Sequence, residues 1–261
     1  GVCGMRLSLV DLPAHDIPAP SANQSPASIR VTAVQTYLAC PRRYRLQYID
    51  GLHGQTSPAA ALGTCVHRAV EVLHAGAPLD DAVATLRAQW ASHRIDDPVA
   101  LEDLLAAERE WLPWYDQWRQ GQRDIAVEEG FSVPLPGLDW HLVGHIDRIY
   151  LQDGRIVISD IKSGRTRPDV RRDLQLSLYS WLFRQSSDQQ DDYQEVVHLR
   201  TRKAVRTART DDYLERVIEQ VVAPVVEAID AGIFPANPDS RYGCGYCDLS
   251  QYCTIGGESN E

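Results

Sequence analysis

GHIDRIYLQDGRIVISDIKSG, at residues 144–164, is the most informative segment of the sequence. Segments rich in isoleucine flank the dipeptide Asp153–Gly154 on both sides, and this dipeptide is typical of a two-residue turn between antiparallel strands. Residues 140–151 and 155–163 are therefore predicted to form the two strands of a β-hairpin.

The two-residue turn also predicts which residues face each other across the hairpin. In that register Asp147 lies directly opposite Asp160, and His145 lies opposite Lys162. The side-chain period of two places Asp147, Asp160 and Lys162 on one face. Opposed residues in a hairpin have Cβ atoms about 5 Å apart, so the two carboxylates would repel each other.

A bound Mg²⁺ or Mn²⁺ would offset this repulsion, because both cations prefer oxygen ligands. The same residues suit phosphodiester hydrolysis, in which a cation neutralises charge on the phosphate and lowers the pKa of an attacking water. Lys162 could then stabilise developing negative charge. A second interpretation is open at this point: the pair could lie at a solvated end of the sheet, with one aspartate paired to Lys162.

The rest of the chain predicts an α/β fold with one large domain. A segment rich in Pro, Ala and Ser predicts a poorly ordered arm over residues 1–29, followed by a single domain over residues 30–261. Within it we expect a helical insertion at 75–122 and a cysteine-rich tail at 234–253. Hydrophobic periodicity predicts helices at 31–48 (capped by Thr32), 60–74, 79–90, 98–120, 170–185 and 211–231, and further strands at 125–134 and 195–201.

Composition excludes some classes of protein. The chain of 261 residues is 44% hydrophobic and 24% charged, which indicates a folded core. It contains no apolar run of the roughly 18 residues that a membrane span needs, and no secretory leader, so a cytoplasmic protein without a membrane partner is expected. The net charge of −10 argues mildly against nucleic acid. Local basic stripes argue in favour of nucleic-acid binding, although they could also be ordinary solvated faces. The candidate DNA-binding residues are Arg42, Arg43, Arg165, Arg167 and Arg171.

The motifs GHIDRI at 144–149 and ISDIKSG at 158–164 resemble the PD-(D/E)XK nuclease superfamily. More narrowly they resemble its RecB-type branch, which includes the nuclease domains of helicase–nucleases and the fourth CRISPR-associated protein family. The resemblance implies a restriction-endonuclease-like core, with a central mixed sheet flanked by helices. It also implies that Asp147, Asp160 and the backbone carbonyl of Ile161 bind a metal, and that Lys162 is catalytic.

Two helical motifs extend the resemblance. LGTCVHRAVE at 62–71 looks like the branch's helix with a metal-binding histidine, which implies that His67 is a ligand. QLSLY at 175–179 looks like its Q-x-x-x-Y motif, whose spacing places Gln175 and Tyr179 on one helical face. They would contact the DNA backbone or orient Lys162. The alternatives are a structural histidine and an ordinary amphipathic helix.

The cysteines suggest a metal site, because disulfides are rare in cytoplasmic proteins. One early and three late cysteines resemble the arrangement that holds a 4Fe–4S cluster in the iron–sulfur members of the branch, and they are Cys40, Cys244, Cys247 and Cys253. Such a cluster would join the N-terminal helix to the tail. Zinc bound by the same thiolates, or unrelated buried thiols, are the alternatives. Cys3 and Cys65 are left over, and Cys65 is expected to be a small buried residue.

Together these matches, over residues 30–253, predict a Mg²⁺- or Mn²⁺-dependent deoxyribonuclease. An exonuclease acting on single strands or duplex ends is favoured, in repair, recombination or CRISPR-type DNA processing, with a helicase or a CRISPR adaptation protein as partner. The alternative is a non-catalytic, metal-stapled nucleic-acid-binding subunit of a helicase–nuclease, which would have a degraded acidic site. No G-x-x-x-x-G-K-[ST] loop occurs, so the chain has no nucleotide-hydrolysing motor of its own.

Overall fold

The computed structural model describes residues 26–239 and 244–253, apart from the side chain of Tyr246. In this part of the chain six strands form one mixed sheet, in the order β1-β3-β4-β5-β6, with β2 paired to β3. The strands are β1 (Ala27–Arg30), β2 (Arg123–Pro134), β3 (Trp140–Gln152), β4 (Arg155–Lys162), β5 (Tyr193–His198) and β6 (Lys203–Thr207).

The central hairpin, β3–β4, has the predicted turn. Asp153 and Gly154 have φ angles of 51° and 74°, and two positive φ angles are what a type I′ turn requires. The predicted register holds from the turn to the pair Arg148–Ser159. Beyond that pair the prediction is wrong, because the ladder contains neither Asp147 opposite Asp160 nor His145 opposite Lys162. The strands separate where two buried carboxylates would otherwise face each other.

Strand β3 is shared by two partners along one edge. Its residues 140–143 pair in parallel with β1, and its residues 148–152 pair with β4. Between them, no strand of the described chain pairs with residues 144–147 on this edge. We refer to this interval as the ladder gap. Asp147 lies at the end of the gap next to β4.

Helices flank the sheet on both faces, as the α/β fold class predicted. One group packs on a core that includes Leu142, Ile146 and Ile158, and its helices are α1 (Val31–Ala39), α7 (Leu174–Ser186), α8 (Asp211–Val217) and α9 (Ala223–Asp230). The other packs on Ile161 and Val197, and its helices are α3 (Pro58–His74), α4 (Leu79–His93), α5 (Pro98–Ala106) and α6 (Leu112–Trp118).

Short segments complete the described chain. Helix α2 (Pro41–Tyr44) lies near the tail, and single π-helical turns follow three helices, at Arg45–Ile49, Ala107–Trp111 and Ile218–Val222. Turns of 3₁₀-helix are found at Leu199–Thr201, Cys244–Tyr246 and Ser250–Tyr252. Within the described residues, no helix combines the length and the apolar character that a membrane crossing demands.

Several predicted helix boundaries were wrong. The helix expected over 31–48 is interrupted at Cys40, which is extended because it precedes Pro41. Thr32 does not cap it, since Arg30 is the N-cap residue and makes no side-chain cap hydrogen bond. The helix expected from residue 170 begins at Leu174, where the Asp173 side chain accepts a hydrogen bond from the Leu176 amide.

Two strands were not predicted. Strand β1 lies partly inside the segment expected to be a disordered arm, and the residues of that arm before Pro26 lie outside the described chain. Strand β6 was not recognised at all, and the strand expected over 195–201 ends at His198. Both missed strands have only four or five residues, and pairing with β3 or β5 orders them.

Candidate active site

Asp160, on β4, is a buried side chain beside the ladder gap. Its residue surface is only 1% exposed. Its Oδ1 accepts a hydrogen bond from the Lys162 ammonium at 2.9 Å. Its Oδ2 is buried and has no hydrogen-bond partner in the described chain. The solvated sheet end considered from the sequence is therefore excluded, although the pairing of one aspartate with Lys162 is present.

Asp147 reaches the same place from β3. Its Oδ2 accepts a hydrogen bond from the Ile161 amide at 2.7 Å, a group that a continuous ladder would have used for strand pairing. The break in pairing thus lets a carboxylate approach the backbone of β4. The second Asp147 oxygen is left for another partner.

His67 approaches from α3. Its Nε2 lies 3.0 Å from the Ile161 carbonyl oxygen, and because a carbonyl can only accept, Nε2 is the donor. The other ring nitrogen, Nδ1, lies 3.7 Å from Glu128 Oε1 and 3.9 Å from Asp147 Oδ2. Both polar groups of Ile161 are therefore used to fix the two side chains.

Glu128, on β2, was not predicted to belong to the site. Ligand atoms of His67, Glu128 and Asp147 lie within 4.8 Å of one another, so these three residues could hold a metal ion. Glu128 has a φ of 51°, which is unusual for a residue that is not glycine. The predicted strand at 125–134 contained it, but only the register between β2 and β3 places its carboxylate near Asp147.

Helix α7 supplies a chain of hydrogen bonds to Lys162. The ammonium donates to Gln175 Oε1 at 2.9 Å, and Gln175 Nε2 donates to the Tyr179 hydroxyl at 2.7 Å. The spacing of four residues puts Gln175 and Tyr179 on the same helical face, as the sequence predicted. These contacts hold the amine in one position beside Asp160.

The electrostatics of the site favour a bound cation. Burial raises the pKa of Asp160 to about 7, against the opposing effect of Lys162. Burial would lower the pKa of His67, but hydrogen bonding to Glu128 and the charges of Asp147, Asp160 and Glu128 raise it to about 9. Burial likewise raises the pKa of Asp147. The site therefore holds more carboxylate than its own cations neutralise.

The cleft has a volume of about 860 Å³ and opens above these groups. Side-chain exposure rises from 1% at Asp160 through 12% at Asp147 to 31% at His67 and 36% at Glu128. Polar residues from three helices, one strand and the β4 terminus line the cleft, among them Thr32, Thr64, Arg68, Glu71 and Gln89. A polar ligand can therefore reach the acidic group from solvent.

A comparison with known families agrees with this geometry. The family model described as PD-(D/E)XK nuclease superfamily matches residues 28–254, which include every residue of the site. The chain belongs to the PD-(D/E)XK nuclease superfamily. Membership makes it a nuclease, and hence a hydrolase of phosphodiester bonds that binds nucleic acid.

Individual relatives of this PD-(D/E)XK nuclease are distant. Gene 69 protein of Mycobacterium phage D29 is 26% identical over 270 residues, which span 86% of this chain and 96% of the phage protein. The crystal structure of a candidate exonuclease from Eubacterium rectale has a TM-score of 0.53 at 14% identity, covering 91% of this chain and 92% of that one. The crystal structure of SSO0001 has a TM-score of 0.46 at 16% identity, covering 90% and 89%.

The structure brings together the predicted catalytic and metal-site residues of the PD-(D/E)XK nuclease. It does not place the predicted DNA-binding arginines among the residues that line the cleft. Arg43 pairs with Asp248 at 3.0 Å, and Arg165 pairs with Asp103 at 3.0 Å. The remaining three are Arg42, Arg167 and Arg171, and their role in DNA binding stays a prediction.

The predicted cluster cysteines lie directly before α2 and in the tail of the nuclease. Cys40 precedes α2, and its Sγ accepts a hydrogen bond from the Asn237 amide at 3.4 Å. Cys244, Cys247 and Cys253 follow one another through short turns of the tail, and all four thiols are free. The spare Cys65 is fully buried, as expected, whereas Cys3 lies outside the described residues.

Proposed function

We propose that the chain is a Mg²⁺- or Mn²⁺-dependent deoxyribonuclease. The observation that carries the proposal is Asp160 Oδ2, a buried carboxylate oxygen without a hydrogen-bond partner in the described chain. The Asp160 side chain lies against Lys162, which lines an open cleft. A buried charged oxygen is costly unless something pairs with it. A hard divalent cation is the partner that fits a donor set of carboxylate oxygens and one imidazole nitrogen.

The residues present fit such a cation. Asp160, Asp147 and the Nδ1 of His67 would hold it, with Glu128 as a further carboxylate and the Ile161 carbonyl as the ligand that the resemblance implied. His67 Nε2 donates to the Ile161 carbonyl, which leaves Nδ1 directed at the carboxylates. Such a fixed tautomer is usual for metal-binding histidines.

When bound, the cation would neutralise charge on the scissile phosphate and lower the pKa of the attacking water. The chain's own part in the reaction falls to Lys162. Burial would lower the pKa of this amine, but Asp160 raises it, so Lys162 stays an ammonium. Gln175 and Tyr179 orient it for stabilising the negative charge that develops on the phosphate.

We also propose that Cys40, Cys244, Cys247 and Cys253 hold a 4Fe–4S cluster. Two observations support this proposal. All four thiols are free, and the Asn237 amide donates a hydrogen bond to Cys40 Sγ. Hydrogen bonds to the sulfurs are a usual feature around such clusters. Zinc on the same thiolates is the competing assignment.

The reaction is proposed to be exonucleolytic, on single strands or duplex ends, within DNA recombination, repair or CRISPR-type processing. This rests on the resemblance to the RecB-type branch, which also suggests a helicase or adaptation partner. The cleft itself is compatible with either end or internal cleavage.

The test compares end-labelled linear DNA with circular single-stranded DNA, in Mg²⁺, in Mn²⁺ and in EDTA. We expect cleavage of the linear strand only with metal, and circles left intact. Asp160→Asn and Lys162→Gln should each lower the rate by about 100-fold or more, because each removes a charged group at the phosphate. Asp188→Asn, at an exposed aspartate elsewhere, is the matched control.

The outcomes separate the candidate functions. Cleavage that survives in either site variant would contradict the mechanism. Cutting of circles would replace exonuclease with endonuclease. Metal-dependent DNA binding without any cleavage would favour the non-catalytic subunit.

A further inference from the structure

The helices cover the two halves of the sheet unequally. Along β1 and the adjoining parts of β2 and β3, alternate residues are buried against α1 and α7, such as Ile29, Leu142 and Val133. The residues between them point to the other face, on which the core of α3–α6 includes residues of β4, β5 and β6. Ser28, Arg30, Ser132 and His145 are exposed there, and His141 is partly exposed.

Strand pairing sets these exposed residues side by side. Val143 pairs with Arg30 on one side and with Ser132 on the other, while His141 pairs with Ser28. His145 pairs with Gly130, and an added Cβ at Gly130 would lie 3.2 Å from His145 Nε2. The absent side chain thus lets the imidazole lie across β2. We name the surface formed by Arg30, Ser132, His141 and His145 the open platform.

The open platform leads to the metal site. Asp147 follows His145 by two residues on β3, a distance of roughly 7 Å along a strand. At the other side, Thr32 follows Arg30 by two residues and lines the same cleft as His67, Glu128 and Lys162. The platform and the cleft are therefore continuous.

The groups of the platform are free to bind an anion. Among the described residues, none forms an ion pair with Arg30 or a hydrogen bond with the His145 ring, whereas Arg68 at the opposite side of the cleft is paired with Glu71. The Nδ1 of His141 forms a hydrogen bond with the Ser132 hydroxyl at 3.1 Å, which leaves the Nε2 of His141 for a ligand. An unpaired arginine beside hydrogen-bonding side chains suits phosphate oxygens.

We propose that the open platform binds one DNA strand next to the scissile phosphate, with Arg30 and His145 contacting its backbone. This inference rests on the proposed nuclease function. His141 and His145 form one row along β3 that continues to Asp147, with Arg30 beside it on β1 and Ser132 beside it on β2. A single row of phosphate-binding groups tracks one phosphate backbone, so a single strand rather than a duplex is the expected occupant.

The platform also predicts little sequence preference. Its four residues offer no exposed benzene or indole ring on which a base could stack, and their side chains reach phosphates rather than base edges. Backbone contacts of this kind position a strand without reading its sequence.

Binding can be measured separately from cleavage. In EDTA, where the nuclease is inactive, fluorescence anisotropy of a labelled single-stranded oligonucleotide gives Kd at several salt concentrations. We expect Arg30→Gln and His145→Gln each to raise Kd by roughly threefold to tenfold. Arg30→Gln should also reduce the salt dependence by about 0.7 in the slope of log K against log salt.

Two controls keep the result interpretable. Arg216→Gln removes an arginine of α8, away from the cleft, that forms no ion pair within the described residues, and it should leave Kd unchanged. Hydrolysis of bis(p-nitrophenyl) phosphate with Mn²⁺ should be the same in wild type and in Arg216→Gln, which shows that the control variant keeps its active site.

The inference is overturned if Arg30→Gln and His145→Gln bind the oligonucleotide with the Kd of the wild type, or if their Kd rises no more than that of Arg216→Gln. If the two substitutions raised Kd equally for a duplex of the same sequence, the single-strand assignment would be overturned. Absence of cleavage in wild type would instead count against the nuclease proposal, because the binding measurement does not depend on it.

Discussion

Glu128 combines an unfavourable backbone conformation with a place in the candidate metal site. The other non-glycine residues with positive φ in the described chain lie in turns or at helix ends, at Arg94, Asp153 and Arg202. Glu128 alone among them lies within a strand. Such a conformation costs about 1–3 kcal/mol and persists where the surroundings impose it, which is common at functional sites.

We expect Glu128→Gln to weaken Mn²⁺ binding by about 10-fold to 100-fold, because one carboxylate of the cluster loses its charge. Isothermal titration calorimetry with Mn²⁺ measures the affinity directly, without substrate. Glu129→Gln, at the next residue and outside the cluster, is the matched control. Equal affinities in both variants would mean that Glu128 is not part of the metal site.

Among the elements, side chains of α7 pack closely against β3 at Gly144. An added Cβ at this position would lie 2.9 Å from Leu182 Cδ1, 3.1 Å from Val31 Cγ2 and 3.2 Å from Tyr179 Cε1. Tyr179 is also the end of the hydrogen-bond chain that reaches Lys162. Packing at this glycine and orientation of the amine are therefore linked.

Gly144→Ala should destabilise the fold by about 1–3 kcal/mol, since the side chains of Leu182, Val31 and Tyr179 must move to admit the methyl group. It should also lower kcat, because a displaced Tyr179 ring disturbs its hydrogen bond with Gln175. Urea unfolding and single-turnover cleavage measure the two effects. Gly164→Ala, where an added Cβ meets nothing within 4 Å, is the control and should show neither. A normal kcat in a destabilised Gly144→Ala would separate packing from catalysis.

The elements also show where sequence reasoning succeeds and fails. The β3–β4 hairpin was predictable because its turn and its alternation are local, and the positions of Gln175 and Tyr179 followed from helical spacing. Strand β1 was not predictable, because it pairs with β3 across a long interval of sequence. The role of Glu128 was not, because it depends on the register between β2 and β3 and on an irregular backbone within β2. The ladder gap could not be predicted either, because the register counted from the turn continues through it without interruption.

For the whole molecule, the contact between α2 and the tail joins the two ends of the described chain. The Arg42 amide donates to the Pro235 carbonyl at 3.1 Å, and Leu249 of the tail is only 1% exposed. Gly54 lies so close to Asp248 that an added Cβ would be 2.5 Å from its Cβ. The tail has little regular structure, so a metal bound by its cysteines would account for this close docking.

Protein purified without oxygen should therefore be brown and contain iron and inorganic sulfide. Cys247→Ser should lower the iron content and the thermal midpoint, because the tail loses an anchor. Cys65→Ala, at a buried cysteine outside the tail, should keep its iron even if its stability falls. Stoichiometric zinc in a colourless wild type would refute the cluster and leave a structural zinc site.

The ladder gap gives the sheet an unusual relation between stability and chemistry. If β1 and β4 met along β3, the Ile161 amide would be taken by a neighbouring strand and Asp147 would have no backbone donor at that position. The uninterrupted sheet would gain backbone hydrogen bonds between strands and would lose the position at which the carboxylates of Asp147 and Asp160 converge. The proposed catalytic site depends on hydrogen bonds that the backbone forgoes, so mutations that regularise the sheet should be selected against even when they make the protein more durable.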